Sequence, residues 1–340
     1  YLSQQRQHSQ IVTPALHLTG WFDISVSGSI QHYTGMINNG KSEHARKNQR
    51  LVIGPWAHMD PYYDLPRRTG DLDFGVEASV DYVSLLIRWC DHWLKAIDNG
   101  SLDEPPIKLF IMGENIWRFE NEWPLARTEY TDFYLSSGGA ANTPDGDGSL
   151  TAPPPDDEAT DTYVYDPRDP VMSTLSKGAY FEPRDQKSLA YRSDVLVYVT
   201  EPMSQDVEVT GRIIVKLWAA STAVDVDFTA KLVDVYPDGV AIGLCSGIVR
   251  ARYRESIEVP TLIVPGEVYQ YTIQLEPTAN VFMAGHRIRL DISSSDFPNY
   301  DRNHNTGEDC YENRHLLAAK QTIFHNAAYP SIITLPIVPR

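Results

Sequence analysis

The chain has 340 residues, of which 42% are hydrophobic, and a formal net charge of −16 at pH 7. That length favours two domains with cores of their own, and the apolar share, with 19 tyrosines and 7 tryptophans, excludes extended disorder. The acidic balance without a basic stripe argues against a nucleic-acid partner, and no apolar run reaches the roughly 18 residues of a membrane span.

The predicted elements begin as alternating strands and helices. A strand is expected over 11–19, a helix over 24–37, a second strand over 50–56 and an amphipathic helix over 80–97. In that last helix Val83, Leu86, Ile87, Cys90, Trp93, Leu94 and Ile97 recur at three- and four-residue spacing, and Asn99-Gly100 is its stop signal. A strand over 107–112 follows Pro105-Pro106. Strands separated by helices indicate parallel βαβ units and an open sheet.

From about Tyr130 helical periodicity ends. Residues 136–155 are rich in Gly, Ser, Thr and Pro and read as an exposed loop. Period-two alternation then appears in three places: at 226–232, at 268–275 and at 286–293. Strict alternation between polar turns predicts a half-buried, half-wet antiparallel sandwich or jelly roll. The expected class is therefore α/β plus all-β, divided at 1–125 and 126–340.

Three cysteines, Cys90, Cys245 and Cys310, are widely spaced without a CxxC pair, so neither a disulfide framework nor a zinc site is indicated, and reduced, partly buried thiols are expected. The chain opens at Tyr1 in a polar stretch that lacks the features of a signal peptide. A cytoplasmic location and a longer parent sequence are the expectations.

Two stretches carry the chemistry. Leu51-Val52-Ile53-Gly54-Pro55-Trp56-Ala57-His58 and Ala15-Leu16-His17-Leu18-Thr19-Gly20-Trp21-Phe22-Asp23 each run from a strand through a glycine into a polar residue. A lone histidine after a strand is more often a packing or solvated residue than a base. Consecutive βαβ strands present their carboxyl ends on one sheet edge, however, which lets Asp23 and His58 meet. An aspartate on imidazole Nδ1 fixes the tautomer and stabilises the imidazolium, and Nε2 can then take a proton from a nucleophile. Acid before base is the α/β-hydrolase order, with the serine earlier in a G-x-S-x-G elbow. Gly28-Ser29 has the wrong frame, and Gly243-Leu244-Cys245-Ser246-Gly247 puts a cysteine at the centre within a β-rich region. No nucleophile is expected in this chain.

The runs Gly20-Trp21-Phe22-Asp23, Gly54-Pro55-Trp56-Ala57-His58 and Phe110-Ile111-Met112-Gly113, with Trp117-Arg118 and Trp123-Pro124, resemble the carboxyl-terminal two-thirds of the cocaine esterase and X-prolyl dipeptidyl-peptidase family of serine hydrolases. The likeness continues through residues 162–170, 225–235, 284–290 and 293–307, which are similar to that family's jelly roll.

The resemblance implies the carboxyl-terminal part of an α/β-hydrolase sheet followed by a jelly roll. The serine, oxyanion donors and cap would be supplied by a missing amino-terminal portion of the same hydrolase. By position Asp23 corresponds to the triad acid and His58 to the base. The expected activity is hydrolysis of a small-molecule acyl ester or amide, with no cofactor and no metal, and with a homodimer compatible with the reading. Trp21, Phe22 and Trp56 are candidate walls of a substrate pocket, with core packing the alternative, and Ser25 is a further candidate substrate-binding residue.

Members that select an α-amino group carry carboxylates two and three positions after the acid. Here Ser25 and Val26 stand there, which disfavours the X-prolyl dipeptidyl-peptidase and α-amino-acid ester hydrolase alternatives. The loop 171–181 is a candidate approach to the site, with a plain surface loop preferred. Asp296, Asp301, Arg302, His304 and Asp309 are better read as turn and sheet hydrogen bonding than as a metal cluster. A rival of another class is a carbohydrate-binding or structural jelly-roll module without catalysis.

Overall fold

A computed structural model describes residues 6–58, 67–142, 146–154, 159–173, 182–309 and 314–340. The chain is rich in β-structure with few helices, and it forms two compact units.

The first unit holds the described residues up to 128, together with 182–183 and 279–281. Its elements are β1 (Ala15–Phe22), α1 (Val26–Asn39), α2 (Glu43–Lys47), β2 (Gln49–Ala57), β3 (Arg68–Thr69), β4 (Leu72–Asp73), α3 (Tyr82–Lys95), β5 (Ile107–Ile111) and β6 (Ile116–Glu120). The sheet order is β1-β2-β5-β6, with β1, β2 and β5 parallel and β6 antiparallel to β5. Leu51, Val52, Ile53, Leu109, Phe110 and Ile111 are all buried, as expected of parallel strands covered on both faces, where apolar runs replace alternation. Helix α1 buries Val26, Ile30, Tyr33 and Met36, one stripe at helical spacing. The short α2, capped by Ser42 accepting from the Ala45 amide, was not foreseen.

Helix α3 forms where periodicity predicts it. Asp81 caps it by accepting from the Ser84 amide, and Ala96 ends it with φ 55, before the expected Asn99-Gly100 stop. Its predicted core face is not realised, since no α3 side chain is buried and Val83 and Leu94 are 62% and 80% exposed. Leu86, Trp89 and Trp93 are half-buried. The stripe makes a helix amphipathic, yet burial also needs a layer to cover it.

The second unit contains β7 (Glu129–Ser136), β8 (Ser149–Thr151), β9 (Asp161–Tyr165), β10 (Leu196–Val199), β11 (Val207–Gly211), β12 (Ile214–Ser221), β13 (Asp227–Val235) and β14 (Ala241–Arg250). There follow β15 (Tyr269–Gln274), β16 (Thr278–Phe282), β17 (Arg287–Ser293), β18 (Ala319–Phe324) and β19 (Ile332–Val338). Residues 279–281 of β16 belong to the first unit, where Met112 and Asn280 form a bridge. The main path of pairing is β14-β13-β17-β10-β8-β7-β19-β12-β18-β9, overwhelmingly antiparallel. Strand β8 lies within the stretch expected to be loop.

Alternation predicts one wet face per strand, and β15 obeys: Tyr271 and Ile273 are buried while Gln270, Thr272 and Gln274 are exposed. Strands β13 and β17 depart from it. Asp227, Thr229, Lys231, Arg289 and Asp291 are buried as well as their apolar neighbours. The charges are tolerated because they are paired: Arg250 is bidentate on Asp227, Arg289 is bidentate on Asp291, and Lys231 donates to Asp296 and to Gln186. Cys245 is buried and Cys90 exposed, so the two do not share the partly buried state expected of them; Cys310 lies outside the described residues.

Candidate active site

Strand β1 ends at Phe22 and β2 at Ala57, so Asp23 and His58 are the first residues past two adjacent parallel strand ends. The imidazole Nδ1 of His58 lies 3.0 Å from Asp23 Oδ1. The aspartate side chain is 11% exposed and the histidine 30%, so the carboxylate is sheltered and the imidazole faces outward. Asp23 Oδ1 also accepts from the Ser25 amide at 2.7 Å. The turn is closed by the Asp23 amide on the Gly20 carbonyl and the Val26 amide on the Asp23 carbonyl, both at 3.0 Å. The carboxylate therefore sits at the start of α1, where the helix dipole favours negative charge. Contact through Nδ1 leaves proton transfer to Nε2, the geometry of an oriented general base.

A bulge aligns the pair. Gly20 is opposite Gly54, but Phe22 is opposite Ala57, so β2 carries one extra residue across this interval. Proline cannot donate to a ladder and is confined to edges and bulges, which accounts for Pro55 in an inner strand. The Pro55 carbonyl accepts from Thr69 Oγ1 at 2.7 Å. Trp56 folds inward, its Nε1 donating to the Ala78 carbonyl at 3.0 Å.

Trp21, Phe22 and Trp56, candidate pocket walls with core packing as the alternative, are buried, 2%, 1% and 0% exposed. Trp21 Nε1 donates to the Phe110 carbonyl at 2.7 Å, and Phe22 stacks on Phe74. Among the described residues their rings are packed into the interior of the first unit. Ser25 is exposed, and what it gives Asp23 is its amide. In the stretch 171–181, Val171 and Ser173 bond to Ser295 and Phe297, and 174–181 lie outside the described residues. Of the acidic group further on, Asp296 accepts from Asn299 and Lys231, and Arg302 donates to the Pro167 carbonyl, contacts internal to the second unit.

Thr69 was missed by sequence reasoning, although a proline inside an apolar strand was a signal that a bulge needs a partner. A second Ser-His-Asp grouping was also missed. Asp161 Oδ2 accepts from Ser137 Oγ at 2.6 Å, Tyr198 OH at 2.8 Å and His325 Nε2 at 3.0 Å, and Oδ1 from the Ala141 amide at 3.0 Å. Asp161 and His325 are wholly buried, and serine and histidine converge on the same carboxylate oxygen. This is a structural hub without substrate access.

Comparison with known proteins adds the family context. Residues 99–334 match the family described as the X-Pro dipeptidyl-peptidase C-terminal non-catalytic domain. The chain is 42% identical to cocaine esterase of Rhodococcus sp. (strain MB1 Bresler), over 97% of this chain and 57% of that protein. Among solved structures, an aminopeptidase from a marine sediment Thaumarchaeota archaeon superposes with TM-score 0.85 at 29% identity, covering 98% of this chain and 57% of the other. An α-amino acid ester hydrolase gives TM-score 0.82 at 27% identity, with the same coverage. The chain thus spans little more than half the length of these relatives. Asp23 and His58 both precede the segment matched as non-catalytic.

Proposed function

Because the chain belongs to the cocaine esterase and X-prolyl dipeptidyl-peptidase family, we propose that it forms the carboxyl-terminal portion of a serine hydrolase of acyl esters, with Asp23 and His58 as acid and base of its triad. In this reading the first unit is part of an α/β-hydrolase sheet and the second a jelly roll, while the segment that the family describes as non-catalytic, 99–334, takes in most of the second unit and also β5 and β6 of the first. The serine is supplied by sequence outside these 340 residues. It attacks the acyl carbonyl as His58 Nε2 accepts its proton, and the imidazolium returns that proton to the leaving oxygen. Asp23 keeps Nδ1 protonated and lowers the energy of the imidazolium.

The observation that carries the proposal is the 3.0 Å approach of His58 Nδ1 to Asp23 Oδ1 at adjacent parallel strand ends. An ester preference over an α-amino substrate is supported at the positions two and three residues after Asp23. Ser25 is exposed, and Val26 is fully buried and apolar, so neither side chain offers a carboxylate to an ammonium group. The test is hydrolysis of an activated acyl ester by the protein that includes the amino-terminal hydrolase portion. His58→Gln should leave binding intact and remove turnover; an active His58→Gln enzyme would refute the assignment.

A further inference from the structure

We infer that Thr69 is a positioning residue for the Asp23–His58 pair: its hydroxyl holds the Pro55 carbonyl and so fixes the bulge in β2 that brings His58 level with Asp23. This rests on the functional reading of that pair given above.

The argument is one of register. If the pairing of Gly20 with Gly54 ran on unbroken, Asp23 would face Ala57. His58 would then lie one residue further along, roughly 3.3 Å out, with its side chain on the opposite face. The extra residue in β2 restores the match, since Phe22 faces Ala57 and the residues that follow them, Asp23 and His58, meet through their side chains at 3.0 Å. A bulge in a parallel pair is uncommon and disrupts the ladder locally, so the chain must be held there by other contacts.

Those contacts are present. The ladder from β2 to β5 ends at Ile53, two residues before Pro55. The Pro55 carbonyl is then met by Thr69 Oγ1 at 2.7 Å, from a residue only 3% exposed, where water is a poor substitute. Thr69 is itself fixed by pairing with Leu72 across a turn through Gly70, whose φ is +57. On the other side of the bulge two glycines make room. A Cβ on Gly20 would stand 2.0 Å from the Trp56 carbonyl oxygen, and one on Gly54 2.4 Å from the Trp56 ring. Thr69 acts through the backbone of β2 and has no part in proton transfer.

The test reads the tautomer of His58 directly. The protein that includes its amino-terminal hydrolase portion is labelled with 15N-histidine and its imidazole nitrogens are followed by NMR at about pH 8, where ordinary imidazoles are neutral. In the wild-type chain His58 should be the Nδ1–H tautomer, held by Asp23. Thr69→Val keeps the shape and removes the hydroxyl; His58 should lose that tautomer and revert to the Nε2–H form favoured by a free imidazole. Thr69→Ser should restore it. His17, on the same strand pair and bonded to Gln49, should be unchanged throughout. Retention of the Nδ1–H tautomer in Thr69→Val would overturn the proposal, as would a wild-type His58 in the Nε2–H form. Equal disturbance of His17 would also overturn it, by giving Thr69 a general role in the sheet. No turnover is measured, so the result stands apart from whether an ester is hydrolysed.

Discussion

Gly20 packs against the carbonyl of Trp56 so closely that a single methyl group there would lie 2.0 Å from the oxygen. The obstacle is backbone, which cannot swing aside as a flexible side chain can. Gly20→Ala should therefore destabilise the first unit by about 1–3 kcal/mol, the usual cost of overpacking, or force β1 and β2 apart. All the tryptophans except Trp218 lie in this unit, so denaturant unfolding followed by tryptophan fluorescence reports on it. An unchanged midpoint would mean that the strands can separate here without cost.

Acid should weaken the same unit through His17. Burial lowers its pKa from the ordinary 6.5 to about 4; the Gln49 hydrogen bond opposes this, and His32 and His8 add to it. His17 and His32 have ring centroids 5.0 Å apart, and His8 Nε2 is 2.9 Å from His32 Nδ1. A depressed histidine pKa means that the unfolded chain binds the proton first. The contribution is fully present above pH 6.5, declines as pH falls, and is gone below about pH 4, amounting to about 3 kcal/mol at most. Unfolding midpoints at pH 7 and pH 4.5 should differ accordingly, and His17→Phe should flatten the dependence. A wild-type midpoint indifferent to pH over that range would contradict this.

In the second unit the loss of Asp161 should be costly. Burial alone would raise its carboxyl pKa, but hydrogen bonds from His325, Ser137, the Ala141 amide and Tyr198 outweigh it and hold the group below the usual carboxylate range. Its contribution is thus present above the ordinary carboxylate pKa and lost as pH falls through the lowered one. Asp161→Ala strands these buried donors and should cost about 3–5 kcal/mol, read by far-UV circular dichroism in denaturant. A change under about 0.5 kcal/mol, the range of ordinary surface substitutions, would show that the hub is dispensable.

How far the chain was legible in advance follows from which forces are local. The strands that end at Phe22 and Ala57 were visible as apolar runs leading into a glycine, and parallel connection put Asp23 and His58 on the same sheet edge. The bulge was not visible, because register depends on where Gly20 and Gly54 meet across the sheet, which no single stretch encodes. Burial was misjudged in both directions for one reason. Alternation on β13 and the stripe on α3 describe one element's own faces, whereas covering Lys231 or leaving Leu94 bare is decided by what lies opposite. The aromatic residues beside the pair, Trp21, Phe22 and Trp56, were ambiguous for the same reason.

The central claim is that Asp23 and His58 act as one unit, and a double-mutant cycle on turnover tests it most directly. The protein that includes its amino-terminal hydrolase portion is assayed as wild type, Asp23→Asn, His58→Gln and the double variant. Asp23→Asn should lower turnover by about 10⁴ by releasing the imidazole tautomer. The double variant should be no slower than His58→Gln alone, because residues of one catalytic unit are strongly non-additive. Losses that multiply, or near wild-type turnover in Asp23→Asn, would contradict the account.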